Sequence, residues 1–278
     1  MDRIPLGVSR FDSMIGGGAP AGSIVLLAGE SGAGAREFCY TSAAMMGLAD
    51  TDDEGFDLYY GDLEPEAVLP NEVHYVSFTD EEDAIRREMR FVMDDDLIDA
   101  GTELVEFVDL SAEYFQLTPV PTDWYSDRSY DITGLGSAHG RRDLLDALGE
   151  YLSQNASGNL VIIDSLTDLI SATTDRFSWS DLVVLLTGLG RASFRWGGII
   201  LLLVNSDVLT SRQLGQLKDA ADGTLRFEWE SGGSERARTL VVEEFRGVLS
   251  RLEDENIVQF ETEIHDSGFD ISNVRKIR

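Results

Sequence analysis

The 278-residue sequence holds one cysteine, Cys39, which rules out an intrachain disulfide and a thiolate metal cluster. Its place after a glycine-rich turn marks it as a small core residue. Histidine is nearly as scarce. His74, His139 and His265 lie far apart, with no H-E-x-x-H or other paired spacing, so a histidine-based metal site is not expected. Lysine occurs only at Lys218 and Lys276, and every other base is arginine. The clustered bases that grip a DNA backbone are missing, which argues against nucleic acid as a partner. No apolar run approaches the roughly 18–20 residues that span a bilayer, so no membrane role is expected. The opening Met1-Asp2-Arg3-Ile4-Pro5 lacks the charged-then-apolar layout of a signal peptide, and a cytoplasmic location is expected.

What the chain has instead is acid. Its 51 acidic and 22 basic residues leave a net charge of −29, spread along the whole length. Self-repulsion of that size destabilises a compact state at low ionic strength, and salt screens it. Dispersed acid with almost no lysine has the look of a protein from a salt-in halophile. The apolar fraction of 43% still suffices for a sizeable core.

The chain is organised around residues 23–36, S-I-V-L-L-A-G-E-S-G-A-G-A-R. An apolar run reads as a buried strand, then a glycine turn, then a helix starting near Ala35. This is the layout of a phosphate-binding loop, G-x-x-x-x-G-K-[ST]. Gly29 and Gly34 hold the required glycines, with Glu30, Ser31, Gly32 and Ala33 between them. The lysine and hydroxyl positions hold Ala35 and Arg36.

Along the chain, an amphipathic turn (Leu6, Phe11, Met14, Ile15) precedes the first core strand. Residues 35–49 read as a helix. Residues 50–72 read as an exposed acidic insertion with a short helix near Glu64–Leu69. A strand at Val73–Phe78 is followed by a helix from Asp80 to about Met93, for which Asp80 is the expected N-cap. Leu104–Val108 is a strand. Residues 109–138 are an irregular, aromatic loop, expected to pack as cover over the core. Arg141 to Asn155 is a helix. The run Leu160–Leu166 is a doubly buried parallel strand carrying Asp164 at its carboxyl end, where open α/β sheets bind ligands. Ser178 with Asp181 caps a helix to about Trp196, and Gly198–Val204 is a second apolar strand. Residues 221–272 read as antiparallel strands at 221–230, 238–245 and 257–263.

The segment "G…FD…(I)GGG.P.GS..L..G..G.G" resembles the start of the RecA-like ATPase core in the KaiC and RadA group. Further, "V-I-I-D-S-L-T" at 161–167 is similar to that family's Walker B strand, Asn205-Ser206-Asp207 stand where it carries polar sensors, and the strand at 238–247 resembles its last strand. The resemblance covers roughly residues 4–272. It implies a mostly parallel twisted sheet flanked by helices, with antiparallel C-terminal strands, as one domain over 1–278. It also implies ATP hydrolysis and side-by-side packing of subunits.

Four chemical parts of that machinery are altered, while Gly29, Gly32 and Gly34 keep the phosphate-cradling turn and Asp164 is retained. The loop lysine that holds the β- and γ-phosphates is Ala35, and the metal hydroxyl is Arg36. The family's catalytic Glu pair corresponds to Thr79 and Asp80, with Glu81 and Glu82 one step too late. In the K-x-R pair that reaches a neighbouring subunit, Glu244 replaces lysine and Arg246 remains. The expectation is a catalytically degenerate homologue that acts as a regulatory or scaffolding protein. Gly29–Arg36 is then a vestigial phosphate loop, and Asp80, Asp164 and Arg246 are vestigial catalytic positions. Arg36 lies one residue past the lysine position, about 100° around the helix, and aims at the metal site. Pairing with Asp164 is expected there, which disfavours magnesium. A rival reading makes Arg36 a ligand for metal-free nucleotide. Two cofactor outcomes stay open: none, or ATP/ADP bound weakly by the glycine loop. The expected partners are proteins, either further copies of this chain or an active paralogue.

Overall fold

The computed structural model describes residues 2–116, 118–125, 143–173, 178–230, 237–254 and 257–276. In chain order, β1 (Arg3–Ile4), α1 (Ser9–Ile15) and β2 (Ala19–Pro20) lead into β3 (Ile24–Gly29), α2 (Ala35–Thr51) and α3 (Asp53–Tyr59). β4 (Val73–Ser77), α4 (Glu82–Met89), α5 (Asp95–Gly101), β5 (Glu106–Asp109) and α6 (Ser111–Phe115) follow. Next come α7 (Leu144–Asn155), β6 (Leu160–Asp164), α8 (Leu166–Thr173), α9 (Trp179–Trp196), β7 (Ile199–Asn205) and α10 (Ser211–Ala220). β8 (Gly223–Glu230), β9 (Ala237–Phe245), α11 (Leu249–Asp254), β10 (Ile257–His265) and β11 (Gly268–Lys276) complete the chain.

One nine-stranded sheet has the order β11-β10-β9-β8-β3-β7-β6-β4-β5. The six strands from β8 to β5 are parallel, and β8 to β11 form an antiparallel meander. The continuous apolar runs follow from burial on both faces. Val25 and Leu27 of β3, Leu160 and Ile162 of β6, and Leu201 and Leu203 of β7 enter one core. Their neighbours Ile24, Leu26, Val161, Ile163, Leu202 and Val204 enter the other, under α7 to α10. Period-two alternation is thus present but hidden, because both sets are apolar.

The first core is built around α2, which is buried along Phe38–Leu48. The ring of Phe38 meets Phe11, Phe227 and Phe269 edge-on at centroid distances of 6.2, 5.5 and 5.4 Å. This cluster ties α1, α2, β8 and β11 together. Farther along, the α2 and α5 backbones touch: a Cβ on Gly47 would lie 2.1 Å from the Gly101 carbonyl oxygen. Gly47→Ala is therefore expected to force the helices apart and cost about 2–3 kcal/mol. The readout is the guanidinium unfolding midpoint, and an unchanged midpoint would contradict the close crossing.

The structure corrects several expectations. The helix in the acidic insertion is α3, not Glu64–Leu69. The rings of Phe56 and Tyr60 stack at 4.8 Å and are buried, anchoring a segment expected to be wholly exposed. Glu81, not Asp80, precedes α4, and no side chain caps it. The Asp80 carboxylate instead accepts the Thr79 hydroxyl at 2.9 Å. The 109–138 stretch contains α6 and a 3-10 turn at Thr122–Trp124. There Phe115 meets Tyr114 and Tyr125, while Trp124 is exposed; Tyr130, Gly134 and Gly136 lie outside the described residues. The helices α5 and α10 and the strand β11 were not expected.

Candidate functional site

The loop after β3 opens at the carboxyl end of the parallel strands. Gly34, at φ +108°, turns the chain into α2, whose first N–H groups face the same opening. Gly29 is needed for packing: a Cβ there would lie 2.6 Å from the Ala35 Cβ. A cleft of about 400 Å³ follows, lined by Gly29–Gly32, Gly34–Glu37, Ser165, Thr167, Asp168 and the end of β7 through Asn205. It borders the loop, α8 and β7, so Glu30, Ser31, Gly32, Gly34, Ala35 and Arg36 share one site. Ala33 is buried beside it, its N–H bonded to the Glu30 carbonyl at 3.0 Å.

Asp164 ends β6 and is almost fully buried. Its Oδ1 accepts from Arg36 Nη2 at 3.0 Å, and its Oδ2 accepts from the Tyr75 hydroxyl at 2.7 Å. The expected Arg36–Asp164 pair is therefore present. The Arg36 guanidinium also lies 3.9 Å from Glu88 Oε2, which accepts the Tyr40 hydroxyl at 2.6 Å. The result is a linked chain, Tyr75–Asp164–Arg36–Glu88–Tyr40, spanning β4, β6, α2 and α4. Burial pushes the Asp164 carboxyl above the ordinary carboxylate range, while Arg36 and the Tyr75 hydroxyl pull it back. Burial is the largest single influence on the Arg36 guanidinium and lowers it, but Asp164, Tyr40, Tyr75 and Glu88 together outweigh burial and hold Arg36 firmly protonated.

The glycine loop itself bonds to the rest of the chain. The Ser31 N–H donates to Asp207 Oδ2 at 2.9 Å, so a carboxylate of this protein meets a loop N–H. Asn205 Nδ2 donates to the Ser31 hydroxyl at 3.3 Å. The Trp229 indole N–H donates to the Ser31 carbonyl at 3.1 Å, and Arg238 Nε to the Gly32 carbonyl at 3.0 Å. Arg238 also stacks over the Trp229 ring at 4.7 Å. Beside them, Ser165 donates to Asp168 at 2.5 Å.

Two expected site residues stand apart. Asp80 is not among the residues lining the cleft. Arg246 follows β9, whose Phe245 pairs with Gly223, at the opposite end of β8 and β3 from the glycine loop. Arg246 pairs there with Asp222 at 2.9 Å and is otherwise exposed. Any contact it makes with such a site must be with another molecule's. Tyr75, Tyr40, Glu88, Trp229 and Arg238 were missed, while Asp207 was expected only as part of the polar Asn205-Ser206-Asp207 stretch. None of the five missed residues carried a local signal. Among the described residues, no three His, Cys, Asp or Glu side chains are grouped to hold a metal ion.

No protein-family model and no curated protein sequence matches the chain. Among solved structures, it is similar to a KaiC-like protein from the hyperthermophilic archaeon Pyrococcus horikoshii. The TM-score is 0.61 at 18% identity, covering 98% of this chain and 99% of that one. The fold is thus KaiC-like and RecA-like: a large, mostly parallel sheet between helices, extended by antiparallel C-terminal strands.

Proposed function

We propose that this chain is a KaiC-like fold turned to regulation or scaffolding through protein contacts, with ATP hydrolysis lost. The observation that supports it best is the Arg36–Asp164 pair at 3.0 Å. In a working phosphate-loop enzyme the Asp at this strand end and the loop hydroxyl together hold magnesium. Here a guanidinium stands at the hydroxyl position and bonds that Asp, leaving little affinity for a dication. Ala35 supplies no charge for a γ-phosphate. The cleft lining adds Glu30, Glu37 and Asp168 against Arg36 alone, a field that disfavours polyphosphate. In this reading the partners are proteins, either further copies of this chain or an active paralogue.

The test compares the native protein with an Ala35→Lys/Arg36→Thr variant in molar potassium chloride. The native melting temperature should not move with ATP, with or without magnesium, while the double variant gains a magnesium-dependent shift. Native protein that binds MgATP as tightly as the variant overturns the proposal. A second reading, weak ATP or ADP binding by the loop alone, is favoured by one observation: the cleft beside Gly29–Gly34 and the N-terminus of α2 stays open. A shift with ATP that needs no magnesium and persists in Arg36→Ala would select it, whereas one that disappears in Arg36→Ala would make Arg36 the ligand.

The charge of −29 supports an intracellular, salt-adapted protein. No helix among the described residues is long and apolar enough to cross a membrane. Raising potassium chloride from dilute to molar concentration is expected to raise the melting temperature by circular dichroism. A flat or falling curve counts against salt adaptation. DNA binding should be absent at every salt concentration.

A further inference from the structure

The far face of the sheet holds a second cleft, larger than the first and unrelated to the glycine loop. It encloses about 660 Å³ between α7, α8 and α9, and its floor is Ile163 of β6 and Leu202 of β7. Leu148, Leu152, Leu166, Leu169 and Leu186 form buried walls, so the opening passes through the whole helix layer. Volume and aliphatic lining both fall in the range of small-molecule sites.

Two details separate it from a packing defect. Gly149 of α7 and Gly188 of α9 line it from inside their helices, and a Cβ on either would meet nothing within 4 Å. Interior glycine weakens a helix relative to alanine, and neither position has a close neighbour that requires it. The second detail is Arg195 at the rim. It is exposed, and among the described residues it has no carboxylate partner, in a chain with 51 acids. Ser153, which also lines the cleft, donates its hydroxyl to the Gly149 carbonyl at 2.6 Å.

We propose that this cleft binds a small amphiphilic anion, with a hydrocarbon body on the leucine walls and a single carboxylate-type head on Arg195. The negative charge of the rest of the protein does not prevent this in molar salt, where the screening length is about 3 Å and the adjacent guanidinium dominates. A partner helix would bury the leucine walls but would leave Arg195 at the rim unexplained, whereas an anion with a hydrocarbon body accounts for both.

The test is displacement of 1-anilinonaphthalene-8-sulfonate fluorescence by decanoate below its micellar concentration, beside uncharged decanol. Decanoate is expected to displace the dye at one site. Arg195→Ala should weaken decanoate about tenfold and leave decanol nearly unchanged. Gly188→Leu, which fills the cleft, should abolish both and raise the melting temperature; Gly188→Ala gives the same trend with less intrusion. Absent saturable displacement, an Arg195→Ala protein that holds decanoate as well as native, or a folded Gly188→Leu protein that still binds it overturns the proposal. So does a native dimer that Gly188→Leu dissociates, which would assign the cleft to a second copy of the chain.

Discussion

Arg36→Ala is expected to destabilise the protein by about 2–3 kcal/mol, less than the ~3–5 typical of a fully buried broken pair. The discount comes from Arg36 itself, whose side chain is 43% exposed while Asp164 is 7% exposed. The damage falls on Asp164, which keeps the Tyr75 hydroxyl but loses its only cationic partner among the described residues. Burial already raises the Asp164 pKa, and loss of Arg36 removes the largest opposing influence, so it rises further. A carboxyl with a raised native pKa favours the folded state most at low pH and loses that contribution as pH rises through the native pKa. The Arg36→Ala deficit should therefore be larger at pH 8 than at pH 5. Arg36→Ala/Asp164→Asn should recover part of the loss at pH 8. Denaturant unfolding of the four proteins of this cycle measures the coupling. A deficit independent of pH, or a double variant no better than the single one, would show that the pair carries no stability.

That pair was legible in the sequence because both partners sit in local motifs. Arg36 has a defined place on the loop-to-helix turn, and Asp164 ends an unmistakable buried strand. The rest of the linked chain was not legible. Tyr75 reaches Asp164 because β4 lies beside β6 in register, with Tyr75 opposite Ile162 and Ser77 opposite Asp164. Trp229 and Arg238 reach the glycine loop because β8 pairs with β3 and β9 pairs with β8. Strand order decides both, and local pattern does not encode it.

Among the elements, the doubly buried strands and the Ser178–Asp181 capping box stood out because their signals are local. The missed α10 had one too, the Thr210–Gln213 capping box, but it follows a polar 3-10 turn and reads as loop. α5 is short and acidic, and its burial of Leu97 and Ile98 depends on the glycine contact with α2. β11 was obscured by its polar alternation; only Phe269 and Ile271 point firmly inward.

Asp12→Asn is expected to change the pH dependence of stability more than any other single substitution considered for this protein. Asp12 is 1% exposed, inside the first core. Its carboxylate accepts from the Leu6 and Gly7 N–H groups at 2.8 and 3.0 Å and from the Tyr60 hydroxyl at 3.0 Å. Through these bonds one side chain joins the chain leading into α1 to the stacked rings of α3. Burial disfavours the charge more than these donors and the Val8 backbone N–H favour it, and the pKa is raised from 3.8 to about 7. Well below pH 4 the group is neutral in both the folded and unfolded chain, and the folded state keeps the full benefit of its higher proton affinity. As pH climbs from 4 to 7 the unfolded chain gives up this proton while the folded chain holds it, so that benefit is lost, by about 4 kcal/mol in all once pH has risen through the folded value. Asparagine cannot ionise, so Asp12→Asn should gain on native by that order between pH 4 and pH 8, whatever its starting deficit. Subtracting the two stability curves removes the general repulsion of the acidic surface, which both proteins share. A difference that stays flat across this window, or an Asp12 carboxyl carbon that titrates near pH 4 by NMR, would mean that the hydrogen-bond donors outweigh burial and keep the group an ordinary carboxylate.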